Sequence, residues 1–280
     1  MRRSAAAAAL LVALAWPAAA DATDYGGGTA PDSVARANRQ LTLIALRTFD
    51  DGSARVGVKV AAGCGLGSVR KAVRIAADGT FSFAATVRRR VPGSPGVRQT
   101  SRISLSGRIA GAAASGTVTA RLTFRRGGRV VERCNSGARA WQARAAAAET
   151  VAAPPQPGGA YHGLTGQRSR PYPLVLRVNA NATRVATAVF EYRQRCRRRP
   201  FEWENITPGA RLRPDGTFSL RERFTFRWAE GRERYRVKVD GRFTPAGVNG
   251  TLSVSSVLRS RSGRVLDRCR TGRVTFAAAL

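Results

Sequence analysis

The chain has 280 residues, with 48 Lys and Arg against 17 Asp and Glu and a formal net charge of +31. That length suits two domains, each large enough to bury a core of its own, and the charge, spread over the whole chain, excludes a basic tail on a neutral body. Such an excess predicts attraction to polyanions that weakens with salt.

Residues 1–22 read as a signal peptide: Arg2 and Arg3 give a basic start, an alanine-rich apolar run follows, and Ala18, Ala19 and Ala20 form a small-residue cleavage site. The run is too short and too alanine-rich for a bilayer span. A soluble exported protein is expected, secreted or associated with the cell wall.

Beyond that point nearly the same words occur twice. Asp78-Gly-Thr-Phe-Ser82, Gly107, Gly116-Thr117, Gly128-Arg129 with Cys134, Ser136-Gly137 and Trp141 are answered by Asp215-Gly-Thr-Phe-Ser219, Gly241, Gly250-Thr251, Gly263-Arg264 with Cys269, Thr271-Gly272 and Phe276. A tandem duplication follows, with residues 23–144 as the first β-domain, 145–160 as a linker and 161–280 as the second.

Each copy opens on a polar, glycine-rich lead, at residues 25–29 and 161–165. Short runs of Val, Ile, Phe and Thr between Gly, Pro, Asn and Asp clusters then predict strands, at 41–46, 54–60, 81–87, 103–109 and 117–124 in the first copy. Their counterparts lie at 174–178, 184–192, 218–228, 235–243 and 251–258. Asp78-Gly79 and Asp215-Gly216 are turn signals. In the strand over 218–228, Phe218, Leu220, Phe224, Phe226 and Trp228 share one parity, the mark of a half-buried strand. Glu222 breaks that apolar face, and is expected to sit at a bulge or pair internally with an arginine. The fold class is all-β: two tandem antiparallel β-sandwich or up-and-down barrel domains of about seven strands. Residues 145–160, rich in Ala and Pro, read as a semi-stiff spacer that leaves the domains free not to pack.

One cysteine pair falls in each copy, Cys64 with Cys134 and Cys196 with Cys269. Four cysteines allow three connectivities, and the duplication favours one disulfide inside each domain, worth about 4 kcal/mol on the chain-entropy model. No metal site is expected: there is no Cys-x-x-Cys, and His162, the single histidine, is read as a solvated loop residue.

Catalytic chemistry is not evident. Asp78 and Asp215 serve turns, Glu132 and Asp267 neighbour a cysteine, and Ser82, Ser219, Ser136 and Thr271 lack a Gly-x-Ser-x-Gly setting or a histidine partner. Gly63-Cys-Gly-Leu-Gly67 lacks the Gly-Lys-Ser/Thr ending of a phosphate loop. The expectation is no enzyme and no cofactor.

The functional signal is a basic sheet face. Arg221, Arg223 and Arg227 alternate with the apolar residues of one strand, and Arg234, Arg236, Lys238 and Arg242 with those of the next. Pairing of the two strands would array forked donors suited to phosphate or carboxylate. Arg195, Arg197, Arg198 and Arg199 add a cluster beside Cys196, and Arg88, Arg89, Arg90, Arg125 and Arg126 are looser counterparts in the first copy.

The ensemble Asp-Gly-Thr-Phe-Ser, Gly-Thr and Cys-x-Ser/Thr-Gly with a terminal aromatic resembles a group of secreted β-domain proteins of high-GC actinobacteria. That resemblance spans both copies and implies an exported, disulfide-bonded β-domain. It brings no activity and no binding residues with it. The function expected from sequence is a secreted, non-enzymatic binding or structural protein of the cell envelope, contacting anionic polymers or surfaces through the arginine faces. Cytoplasmic nucleic acid is not an expected partner. A small-molecule carrier using a barrel interior is the alternative.

Overall fold

The computed structural model describes residues 22–91, 94–146, 151–167, 169–197, 200–228 and 230–280. Nearly all of the proposed signal peptide, part of the linker, and Arg198 and Arg199 lie outside the described residues.

Two curled antiparallel sheets of nine strands each follow one another along the chain. The first holds β1 (Asp24–Gly28), β2 (Thr42–Thr48), β3 (Ser53–Ala61), β4 (Leu66–Arg74), β5 (Thr80–Arg90), β6 (Val97–Ala110), β7 (Ala113–Arg126), β8 (Arg129–Asn135) and β9 (Arg139–Arg144). Its strand order is β4-β3-β2-β1-β9-β7-β6-β5, with β8 also on β7. The second holds β10 (Ala160–Thr165), β11 (Tyr172–Val178), β12 (Val185–Cys196), β13 (Phe201–Pro208), β14 (Thr217–Trp228), β15 (Gly231–Phe243), β16 (Gly247–Ser260), β17 (Val265–Arg270) and β18 (Val274–Ala279). Its order, β13-β12-β11-β10-β18-β16-β15-β14, repeats the first. Of the two all-β architectures open from sequence, the barrel-like one forms. In each copy the glycine-rich lead is itself a strand, β1 or β10, because it pairs on both edges and so joins the two halves of its sheet. The helix α1 (Val34–Gln40), capped by Ser33, packs against β3 of the first sheet and β13 of the second. No helix among the described residues is long and apolar enough to cross a membrane.

The repeated motifs explain themselves as structure. Asp78 Oδ1 accepts from Thr80 N at 3.0 Å and Thr80 Oγ1 at 2.7 Å, and Asp215 does the same with Thr217 at 3.0 and 2.7 Å. Gly79 and Gly216 follow at φ 82° and 74°, the left-handed region that favours glycine. Ser136 Oγ accepts the N–H of Ala120, and Thr271 Oγ1 that of Val254, so these hydroxyls cap the strand where it loses its partner. Gly107 and Gly241 leave room for rings: a Cβ at Gly107 would meet Trp141 at 2.5 Å, and one at Gly241 would meet Phe218 at 2.4 Å.

The first core gathers Ile44, Leu46, Val56, Val58, Val60, Ile103, Leu105 and Trp141. The second gathers Leu174, Leu176, Phe190, Tyr192, Tyr235, Val237, Val239 and Phe243. One disulfide falls in each sheet, Cys64–Cys134 and Cys196–Cys269. In the second sheet Cys196 and Cys269 are direct cross-strand partners, where β17 bridges β12 and β16 and closes that end of the barrel. The other seam, between β13 and β14, is shut by rings: Trp203 contacts Phe226 and Trp228, each at 6.4 Å between centroids.

Two expectations need correction. The linker does not leave the copies apart: Ala153 N donates to Phe243 O at 3.0 Å and Gln156 N to Tyr161 Oη at 2.9 Å, which lays it on the second sheet. The sheets then meet through β1 and β10, where Gly26 is so close to Gly163 that a Cβ would lie 2.1 Å from its carbonyl oxygen. Around that contact, Lys59 reaches Glu204 at 2.7 Å and Glu191 at 3.3 Å, and Arg70 reaches Glu202 at 2.8 Å. His162, expected in solvent, is instead buried in the same region at 2% exposure. Burial first, then the charges of Arg144 and Arg177, press its pKa down to about 4.

Candidate anion-binding grooves

Each sheet carries a groove on its outer face beside its disulfide. In the first, of about 560 Å³, Arg88 on β5, Thr100 and Arg102 on β6, Arg121, Thr123 and Arg125 on β7, and Arg133 and Asn135 on β8 line the walls, with Cys134 at the floor. In the second, of about 1010 Å³, the corresponding strands contribute Arg234 and Arg236, Ser255, Val257 and Arg259, and Arg268 and Arg270, with Cys196 and Cys269 at the floor. The two grooves occupy the same place in the duplicated fold.

Strand register fixes how the charges lie. In the second sheet Arg223 is opposite Arg236, Arg236 opposite Ser255, Ser255 opposite Arg270 and Arg270 opposite Arg195, giving one continuous row across five strands. Thr225, Arg234, Val257 and Arg268 form the neighbouring row. In the first sheet the matching rows read Thr86, Arg102, Arg121, Asn135 and Arg88, Thr100, Thr123, Arg133. Directly opposed residues on one face stand about 5 Å apart, and like charges there repel. Among the described residues none of these arginines has a carboxylate within salt-bridge reach, in contrast to Lys59, Arg70 and Arg170 at the contact between sheets. The grooves therefore hold concentrated guanidinium donors whose repulsion an anion would relieve.

Of the residues expected from sequence, Arg223, Arg234 and Arg236 fall together in these rows, and Arg197 lines the same groove. Arg221 and Lys238 face each other one row further along, but Lys238 is bound to Asp240 at 2.6 Å. Arg227 lies opposite Arg232 at the far end of the hairpin. Arg242 is opposite Thr217, on the other side of Asp240 and away from the groove. Sequence reading missed Arg268 and Arg270, although they flank Cys269 with the parity of an outward strand face. It also missed Arg102, Arg121 and Arg133, which stand singly in the sequence and become neighbours only through pairing.

Glu132 and Asp267 lie close to the sulfurs of their disulfides. Asp267 Oδ1 accepts the N–H of Arg197 at 3.0 Å and of Arg268 at 2.7 Å, which makes it a local clamp for the basic segment. Sulfurs bonded to each other offer no thiolate to a metal ion.

No family model matches the chain, and no curated protein matches it. Solved structures that it resembles include a protein of Nitrosomonas europaea assigned as an AttH, at 9% identity and a TM-score of 0.22, covering 92% of each chain. Another is kievitone hydratase from Nectria haematococca, at 8% identity and a TM-score of 0.20, covering 92% of this chain and 89% of that one. The expectation that the chain is not an enzyme stands against neighbours that include a named hydratase, and it is not carried further. At such TM-scores the likeness carries no argument for a particular activity, and none is transferred.

Proposed function

We propose that this chain binds anionic polymers outside the cytoplasm, gripping phosphate, sulfate or carboxylate groups in the arginine groove of each sheet. One observation carries the reading: both copies keep the groove basic, with Arg102 and Arg133 answered in place by Arg236 and Arg268 and the other arginines exchanged between adjacent strands. Where the first copy has Arg88 opposite Thr100, the second has Thr225 opposite Arg234, and where the first has Arg121 opposite Asn135, the second has Ser255 opposite Arg270. A charge that moves to the adjacent strand yet stays in the same row is what a need for local positive potential produces. A merely solvated basic face has no reason to restore it. Two disulfides support an oxidising compartment.

The test compares two triple variants on a heparin column. Replacing Arg234, Arg236 and Arg268 by Ser should lower the eluting salt clearly and flatten the log–log salt dependence by about two to three units. Replacing Arg39, Arg213 and Arg261, exposed and outside the grooves, removes the same charge and should change retention little. Equal losses from the two triples would show that retention follows net charge alone and would end the groove reading.

A further inference from the structure

The inner end of the second barrel, beside the ring-shut seam, is unlike its counterpart. Tyr192 and Gln194 on β12, Tyr235 on β15 and Ser256 on β16 are buried at 2% exposure or less. Tyr192 Oη, Gln194 Oε1, Tyr235 Oη and Ser256 Oγ have no hydrogen-bond partner, and neither has Glu222 Oε2 on β14. Tyr235 Oη faces Glu233 and Ser256 without a bond of normal geometry to either. Glu233, at 9% exposure, accepts the indole N–H of Trp228 at 3.0 Å and has no basic partner among the described residues. Buried polar atoms are ordinarily satisfied, so a cluster of them requires an explanation.

The fold does not demand this cluster. Register and the cysteine alignment put Val60, Ala62, Ser101, Leu122 and Ala85 of the first copy where the second has Tyr192, Gln194, Tyr235, Ser256 and Glu222. The first barrel also closes its own circle of charge and hydrogen bonds. Gln99, the counterpart of Glu233, accepts from Arg89 Nε at 3.1 Å and Nη2 at 3.0 Å, and donates to Ser101 Oγ at 2.8 Å and Leu66 O at 2.9 Å. In the second copy Phe226 stands in the place of Arg89, and a carboxylate in the place of the glutamine. The internal cation has gone and an anion has come in.

Glu222 is also neither at a bulge nor paired with an arginine. The β14–β15 register runs unbroken through it, opposite Val237. Elsewhere the chain compensates its buried carboxylates: Glu191 has Lys59 and Arg170, Glu202 has Arg70 and Arg170, and Glu204 has Lys59. In a protein of +31 net charge, Glu222 and Glu233 alone among these inward carboxylates lack a basic partner in the described residues. A buried carboxylate is costly unless a cation answers it.

We propose that this end of the second barrel binds a small organic ammonium ion, its charge answered by Glu233 and its body covered by Trp203, Phe226 and Trp228. It takes the place that the Arg89 guanidinium fills in the first copy. The hydroxyls of Tyr192, Tyr235 and Ser256 and the carbonyl oxygen of Gln194 are the acceptors among which its N–H groups are shared with Glu233. The rings offer faces to a cation, and Phe226, at 39% exposure, marks the way in. The seam there is held by side chains, so passage breaks no backbone ladder.

The test is tryptophan fluorescence of the intact, oxidised chain titrated with phenethylammonium, with phenethyl alcohol as the neutral isostere. A saturable change with the ammonium ion, at least about tenfold weaker for the alcohol and for Glu233→Gln, is the expected result. Phe226→Arg, which restores the first copy's cation, should abolish it while heparin retention persists. No saturable change, equal binding of the alcohol, or full binding by the Glu233→Gln variant of unchanged circular dichroism would overturn the proposal. None of these outcomes bears on the outer grooves, whose test is retention on heparin.

Discussion

His162 shows how far one side chain's surroundings can depart from its local sequence. A glycine-rich polar lead reads as solvent, yet its residues form a central strand lying against the other sheet, and the imidazole is held neutral there with a pKa of about 4. Because the folded value lies below the unfolded value of about 6.5, the unfolded chain binds the extra proton. Stability is therefore complete above pH ~6.5 and falls as pH drops toward 4, by about 3 kcal/mol from this group. Urea unfolding of the native chain and His162→Gln across that range should show curves that converge on acidification; parallel curves would contradict the burial. Glu222 teaches the same lesson with the opposite outcome. Its break in an alternating pattern was visible in sequence, but the absence of a basic partner is set by residues from other strands and could not be read there.

At the level of elements, alternation and turn chemistry made most strands legible, since an Asp-Gly turn and a run of one-sided apolar residues act over a few residues. What stayed hidden depends on pairing. The leads carry no apolar alternation because both faces of β1 and β10 are covered, one by a core and the other at the contact between copies. The linker's composition suggested a semi-stiff spacer between domains free not to pack, while the contact it spans is organised by Lys59 of β3, 16% exposed and placed between Glu191 and Glu204. Lys59→Ala leaves those carboxylates short of a cation and should cost about 3 kcal/mol, with Lys59→Met combined with Glu204→Gln recovering most of it. Denaturant titration checks both, and a loss near zero for Lys59→Ala would mean that the two sheets are not coupled through this cluster.

Across the whole molecule, duplication gives the chain an internal control. What both copies keep partly by different means, the basic groove beside each disulfide, is read as a requirement; what only one copy has, the polar interior of the second barrel, is read as an added capacity. The charge was legible from composition and half of the second groove from the alternation of Arg223, Arg234 and Arg236. The other half comes from β17; in the first groove Arg88 and Arg125 were named from sequence, while Arg102, Arg121 and Arg133 are joined to them only by strand register. The most direct measurement is the arginine Nε–Hε spectrum of the labelled, oxidised chain during titration with inorganic polyphosphate. The account predicts early, saturable shifts at Arg88, Arg102, Arg121 and Arg133 in the first sheet and at Arg234, Arg236, Arg268 and Arg270 in the second, while Arg39, Arg213 and Arg261 move little. Uniform, non-saturating shifts over all arginines would contradict it and leave only a diffuse response to net charge.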